Sequence, residues 1–113
     1  MKYSSRTVNG IYYHILLAIG EERTHGYAIM QEIEARTEGR TQVLPGTLYS
    51  SIKKMLKEGL IEECPPPRKE RNADERRRYY RLTSRGRSAA SEETERLAGL
   101  VRLARRKGFA PAR

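Results

Sequence analysis

The sequence predicts a mainly α fold with a minor β component, and three observations lead to it. Apolar residues recur at helical spacing in three short segments and one longer one. Two short runs rich in strand-favouring residues, at 60–64 and 79–83, bracket a polar and charged stretch. Gly20, Gly59 and Gly108 stand directly after helical segments, where a chain commonly leaves the helix.

The first helix is read over residues 8–19, with Ile11, Tyr12, Ile15, Leu16 and Ile19 on one apolar face and Gly20 as its stop. The second covers 26–36, with Thr24 as the expected N-cap and Tyr27, Ile29, Met30 and Ile33 on its apolar face. The third begins at Pro45, since proline suits a first helical turn, where its missing N–H would have no partner anyway. Leu48, Ile52, Met55 and Leu56 are its inward residues. Residues 60–64 then form a strand that Pro65, Pro66 and Pro67 end, because proline offers no N–H to a ladder. Residues 68–78 are a charged loop and 79–83 the returning strand, giving a two-stranded hairpin with a long tip. Thr83 or Ser84 caps a last helix running to residue 107, with Arg105, Arg106 and Lys107 at its negative dipole end.

Three helices followed by a hairpin is the order of a winged helix-turn-helix. The expected division is a winged helix-turn-helix DNA-binding domain over 8–83 and a C-terminal dimerisation helix over 84–107. The third helix would be the recognition helix and the hairpin loop the wing.

Charge points to the partner. The 113 residues carry a net charge of +9, which on so short a chain suggests nucleic acid. Apolar content is 37% with no Trp, so the core is thin and a partner chain is expected to complete the burial. No apolar run approaches the ~20 residues of a membrane span, and the first nine residues lack the apolar stretch of a signal peptide. A single cysteine, Cys64, fits a reducing compartment, so a cytoplasmic protein is expected.

On the third helix Ser50, Lys53, Lys54 and Lys57 recur at i, i+3, i+4 and i+7, opposite the apolar face. Lysine can reach a phosphate or a guanine edge, and Thr47 and Ser50 lie in the first turns, where helix N–H groups favour phosphate. Tyr49 borders both faces. An ordinary amphipathic surface helix would carry a similar stripe, so the stripe gains weight from the second feature. Between residues 68 and 87 Arg68, Lys69, Arg71, Arg76, Arg77, Arg78, Arg81, Arg85 and Arg87 are opposed only by Glu70, Asp74 and Glu75. A basic loop of this kind follows a phosphate backbone or enters a minor groove; Arg76, Arg77 and Arg78 are the expected contacts and Arg81, on the strand, the structural one. The third feature is the stripe Leu97, Leu100, Val101 and Ala104 on the last helix. With the core closed before this helix, the stripe is expected to face a second copy of the chain. Catalysis has no candidate: His14, His25 and Cys64 are too scattered for a metal site, and neither a glycine-rich phosphate loop nor a nucleophile–base arrangement is present. No cofactor and no enzyme activity are expected.

Three blocks of this sequence resemble the PadR family of transcriptional regulators: His25-Gly26-Tyr27-Ala28-Ile29 with Ile33; Pro45-Gly46-Thr47-Leu48-Tyr49 continuing through Leu56, Gly59, Leu60 and Ile61; and Arg78-Tyr79-Tyr80-Arg81-Leu82-Thr83 with Gly86-Arg87. The resemblance implies a winged helix with a C-terminal dimerisation helix and DNA contacts at Thr47, Tyr49, Ser50 and Lys53. It also implies repression of transcription, often relieved by a small-molecule effector. With a single C-terminal helix, the ligand would sit between subunits. The expected partners are therefore double-stranded DNA at a palindromic operator, a second copy of the chain and a small-molecule effector. The alternative is a non-specific nucleic-acid-binding or architectural protein.

Overall fold

The computed structural model describes residues 10–40, 42–70 and 77–109. Helix α1, Gly10–Ile19, buries Tyr12, Ile15, Leu16 and Ile19. Its expected start at residue 8 lies outside the described residues. Gly20 ends it in the left-handed region (φ 57°), which a side chain would strain. Helix α2, Gly26–Arg36, buries Ile29 and Ile33. Tyr27, expected on the same apolar face, turns outward and is 55% exposed.

The entry to α2 departs from the sequence expectation. Thr24 is not the cap. It forms with His25 a short strand, β1 (Thr24–His25), and the His25 ring caps α2 by accepting the Ala28 N–H on Nδ1 at 3.3 Å. Thr24 is drawn away because its backbone pairs with a strand more than fifty positions downstream, Thr24 opposite Tyr80 and His25 opposite Tyr79.

Helix α3, Pro45–Lys57, buries Leu48, Ile52 and Met55. Gly59 (φ 76°) then turns the chain into strand β2, Ile61–Cys64. The segment read as a plain loop contains a 3-10 turn, Arg68–Glu70. Strand β3, Tyr79–Leu82, returns antiparallel to β2, pairing Ile61 with Leu82, Glu62 with Arg81, Glu63 with Tyr80 and Cys64 with Tyr79. The sheet has three strands, in the order β1-β3-β2, where two were expected. The third is a two-residue strand of Thr and His, too short to leave a period in the sequence.

Helix α4, Ser84–Arg106, is capped by Thr83, whose hydroxyl oxygen accepts the Gly86 N–H at 3.0 Å. Contrary to expectation, the core is not closed before this helix. Gly86 and Ala89 are buried, Thr83 N–H donates to the Leu60 carbonyl at 3.1 Å, and the Tyr13 hydroxyl of α1 meets Thr94 Oγ1 at 2.6 Å. The approach depends on Gly86: a Cβ there would lie 2.0 Å from the Leu60 carbonyl oxygen. Glu93, also buried, pairs with Arg96 one turn on, and that guanidinium holds its carboxyl below the usual range. Beyond this point the packing changes. Leu97 and Ala104 are half-buried, while Leu100, Val101 and Leu103 are 50%, 41% and 41% exposed.

Candidate nucleic-acid interface

Helix α3 separates its residues sharply. Leu48, Ile52 and Met55 are at most 2% exposed. Thr47, Tyr49, Ser50, Lys53, Lys54 and Lys57 are all exposed, on the outer surface of the same helix. The helix begins without side-chain help: Leu44 stands at the N-cap, Pro45 has no N–H, and the first intrahelical bond runs from Leu48 N–H to the Leu44 carbonyl at 2.9 Å. The Gly46 and Thr47 N–H groups therefore have no acceptor inside the helix, and they stand at its positive dipole end. An anion approaching the first turns of α3 meets backbone donors, the hydroxyls of Thr47, Tyr49 and Ser50 and, further along, three ammonium groups.

Tyr49 is seated by α2. A Cβ added to Gly26 would lie 2.8 Å from both Cε1 and the hydroxyl oxygen of Tyr49, so the ring rests directly on the Gly26 backbone. Beside this contact lies an open pocket of about 350 Å³ between α2, α3 and the start of β3. Tyr27 and Tyr49 border it on the helix side and Arg77 and Arg78 on the wing side, with Tyr80 below. Burial pushes the Tyr80 phenol up from its ordinary value, with Glu63 adding to the effect. Sequence reasoning missed Tyr27 and Gly26 as parts of this surface. The signal was present in the His-Gly-Tyr block, but periodicity assigned Tyr27 to the core face.

The wing arginines differ among themselves. Arg81 pairs with Glu62 directly across the β2–β3 ladder at 2.7 Å, the structural place expected of it. Arg78 pairs with Glu63 at 2.8 Å, both side chains remaining more than half exposed. Arg77 is exposed. Arg76 lies outside the described residues. Cys64 is half-buried, and burial pushes its thiol up, which disfavours the reactive thiolate. His14 receives the Arg36 guanidinium at 3.3 Å and lies far from Cys64 in the chain. Among the described residues no group of three or more His, Cys, Asp or Glu could hold a metal ion.

Three helices packed with the start of a fourth, a sheet carrying a basic hairpin and a cationic exposed third helix are the arrangement of a winged-helix regulator of transcription that binds DNA. The chain belongs to the PadR-like family of transcriptional regulators, whose family model matches residues 15–92. It is similar to the transcriptional regulator Rv3488 of Mycobacterium tuberculosis, 33% identical over 90 residues that cover 79% of this chain and 77% of the relative. An uncharacterised protein of Lysinibacillus sphaericus is 36% identical over 78 residues, 69% of each chain. Among solved structures, H. salinarum RosR superposes with a TM-score of 0.68 at 26% identity, over 87% of this chain and 81% of that one. A PadR family regulator from Clostridium difficile gives a TM-score of 0.70 at 21% identity, over 87% and 97%, a likeness of fold.

Proposed function

We propose that the protein is a dimeric, sequence-specific repressor that holds a palindromic operator with α3 in the major groove of each half-site. The observation that carries this reading is the division of α3, with Leu48, Ile52 and Met55 buried and Thr47, Tyr49, Ser50, Lys53, Lys54 and Lys57 presented together. Thr47, Tyr49, Ser50 and Lys53 are the base-reading candidates near its N-terminal half, and Lys54 and Lys57 reach phosphates. Arg76, Arg77 and Arg78 at the wing follow the backbone. Residues 8–83 act as the DNA-binding domain and 84–107 as the dimerisation helix, whose exposed Leu100 and Val101, with Leu97 and Ala104, meet the same stripe of a second chain. A small-molecule effector then relieves repression in the cytoplasm.

The test is a titration of operator and of unrelated duplex at one fixed salt concentration. A specific regulator binds its site ~10³-fold or more tightly than other DNA. Equal affinity for both would favour the architectural reading instead.

A further inference from the structure

A second pocket, of about 340 Å³, shares no lining residue with the one beside Tyr49. Four cationic side chains from four different segments line it: Arg23 from the turn after α1, Lys69 from the 3-10 turn, Arg81 from β3 and Arg87 from the first turns of α4. Pro67 and Leu82 give it an apolar wall. The carboxylates in the lining are Glu21 and Glu22, so the wall carries four positive and two negative charges, a net of +2. No residue of α3 is among the pocket's lining residues. It is thus a separate site from the pocket beside Tyr49.

Three of the four cations already have partners. Arg23 donates to the Pro65 carbonyl at 3.1 Å, Arg81 to Glu62 at 2.7 Å, and Arg87 to Glu21. Arg87 and Glu21 are exposed, with Glu21 at 81%, and exposed ion pairs of this kind are weak and easily exchanged. A bidentate oxyanion can displace Glu21 and take the Arg87 fork without reorganising the pocket.

We propose that this pocket binds a small organic anion bearing phosphate or carboxylate groups, with Arg23, Lys69, Arg81 and Arg87 as its ligands. The apolar wall of Pro67 and Leu82 accommodates the carbon part of the molecule. Such a ligand would tie the base of the wing to the start of α4, the two elements on which the proposed DNA grip and dimer depend. That regulatory consequence rests on the function proposed above; the binding itself does not.

The experiment is calorimetric titration of the full chain, without DNA, using pyrophosphate and citrate as probes at constant ionic strength. Saturable binding to the native protein is expected. Arg87→Gln and Lys69→Gln should each weaken it about tenfold or more, whereas Arg40→Gln, an exposed residue after α2 and outside the pocket, should leave it unchanged. Glu21→Gln removes the competing carboxylate and should tighten it, a gain that no unfolded variant could give. Pyrophosphate and citrate distinguish phosphate from carboxylate preference. Absence of saturable binding, equal loss in Arg40→Gln, or no gain in Glu21→Gln would overturn the proposal. Because no DNA is present, failure of the repressor reading leaves this result unaffected.

Discussion

The ring of Tyr49 on α3 lies on the backbone of Gly26 at the start of α2, so close that a methyl group at Gly26 would stand 2.8 Å from the phenol oxygen. The first turn of one helix thus aims an exposed aromatic on the next. Gly26→Ala supplies that methyl group. Since the obstructing atoms are the far end of a side chain, Tyr49 should swing away and the protein stay folded, with melting shifted only slightly. DNA affinity should fall by about 1–3 kcal/mol if Tyr49 makes a specific contact. Tyr49→Phe separates the hydroxyl from the ring. An unchanged operator titration for both variants would remove Tyr49 from the interface.

Gly86 is the opposite case. A Cβ there meets backbone, the Leu60 carbonyl oxygen at 2.0 Å and its carbon at 3.0 Å. Gly86→Ala must push α4 away from β2, with overpacking that costs about 3 kcal/mol or more. For a chain of this size, that lowers the melting temperature by about 12 °C or more. Gly99→Ala, in the open part of the same helix, meets only Arg102 Nη2 at 3.7 Å and should stabilise by about 0.5–1 kcal/mol. Thermal unfolding of the two variants checks both signs.

Lys53→Ala, and to a smaller extent Ser50→Ala, should weaken operator binding without unfolding the protein, because both side chains are exposed. Loss of a good base contact costs about 1–3 kcal/mol and relaxes preference at one base pair. A shift titration in which the double variant binds as tightly as the native chain would place α3 outside the groove.

Neutralising Arg76, Arg77 and Arg78 should weaken operator and unrelated DNA nearly alike, since phosphate contacts carry little sequence information. Each lost contact should lower the slope of log K against log salt by ~0.9. To reach a phosphate Arg78 would have to give up its 2.8 Å pair with Glu63, so Glu63→Gln should strengthen binding slightly. A salt slope that the triple variant leaves unchanged would show these arginines facing solvent in the complex.

Leu100, half exposed on α4, is the most direct probe of the dimer. Leu100→Glu would bury an unpaired carboxylate in a two-chain seam, at a cost of several kcal/mol. The variant should sediment as a monomer and lose tight operator binding with every DNA-facing residue intact. Half-sites should lie ~34–36 Å or a multiple of it apart. A native monomer at micromolar concentration, binding one half-site as tightly as the palindrome, would rule the dimer out.

The helices were legible in the sequence because each carries its own period. Ile15, Leu16 and Ile19, or Leu48, Ile52 and Met55, declare a buried face from spacing alone, and the lysines of α3 declare the opposite one. Pro45, Gly20 and Gly59 mark ends for reasons of backbone chemistry that any context preserves. Tertiary structure decided what depends on residues distant in the chain. Thr24 became a strand residue, and His25 the cap, because β3 offered a ladder partner at Tyr80. The first half of α4 joined the core because Gly86 meets Leu60, and Tyr27 turned outward beside Tyr49 and the wing arginines. Local periodicity reports which side of a helix is apolar. Only the arrival of another segment determines how much of that side is covered, and which polar groups are brought together on the surface that remains.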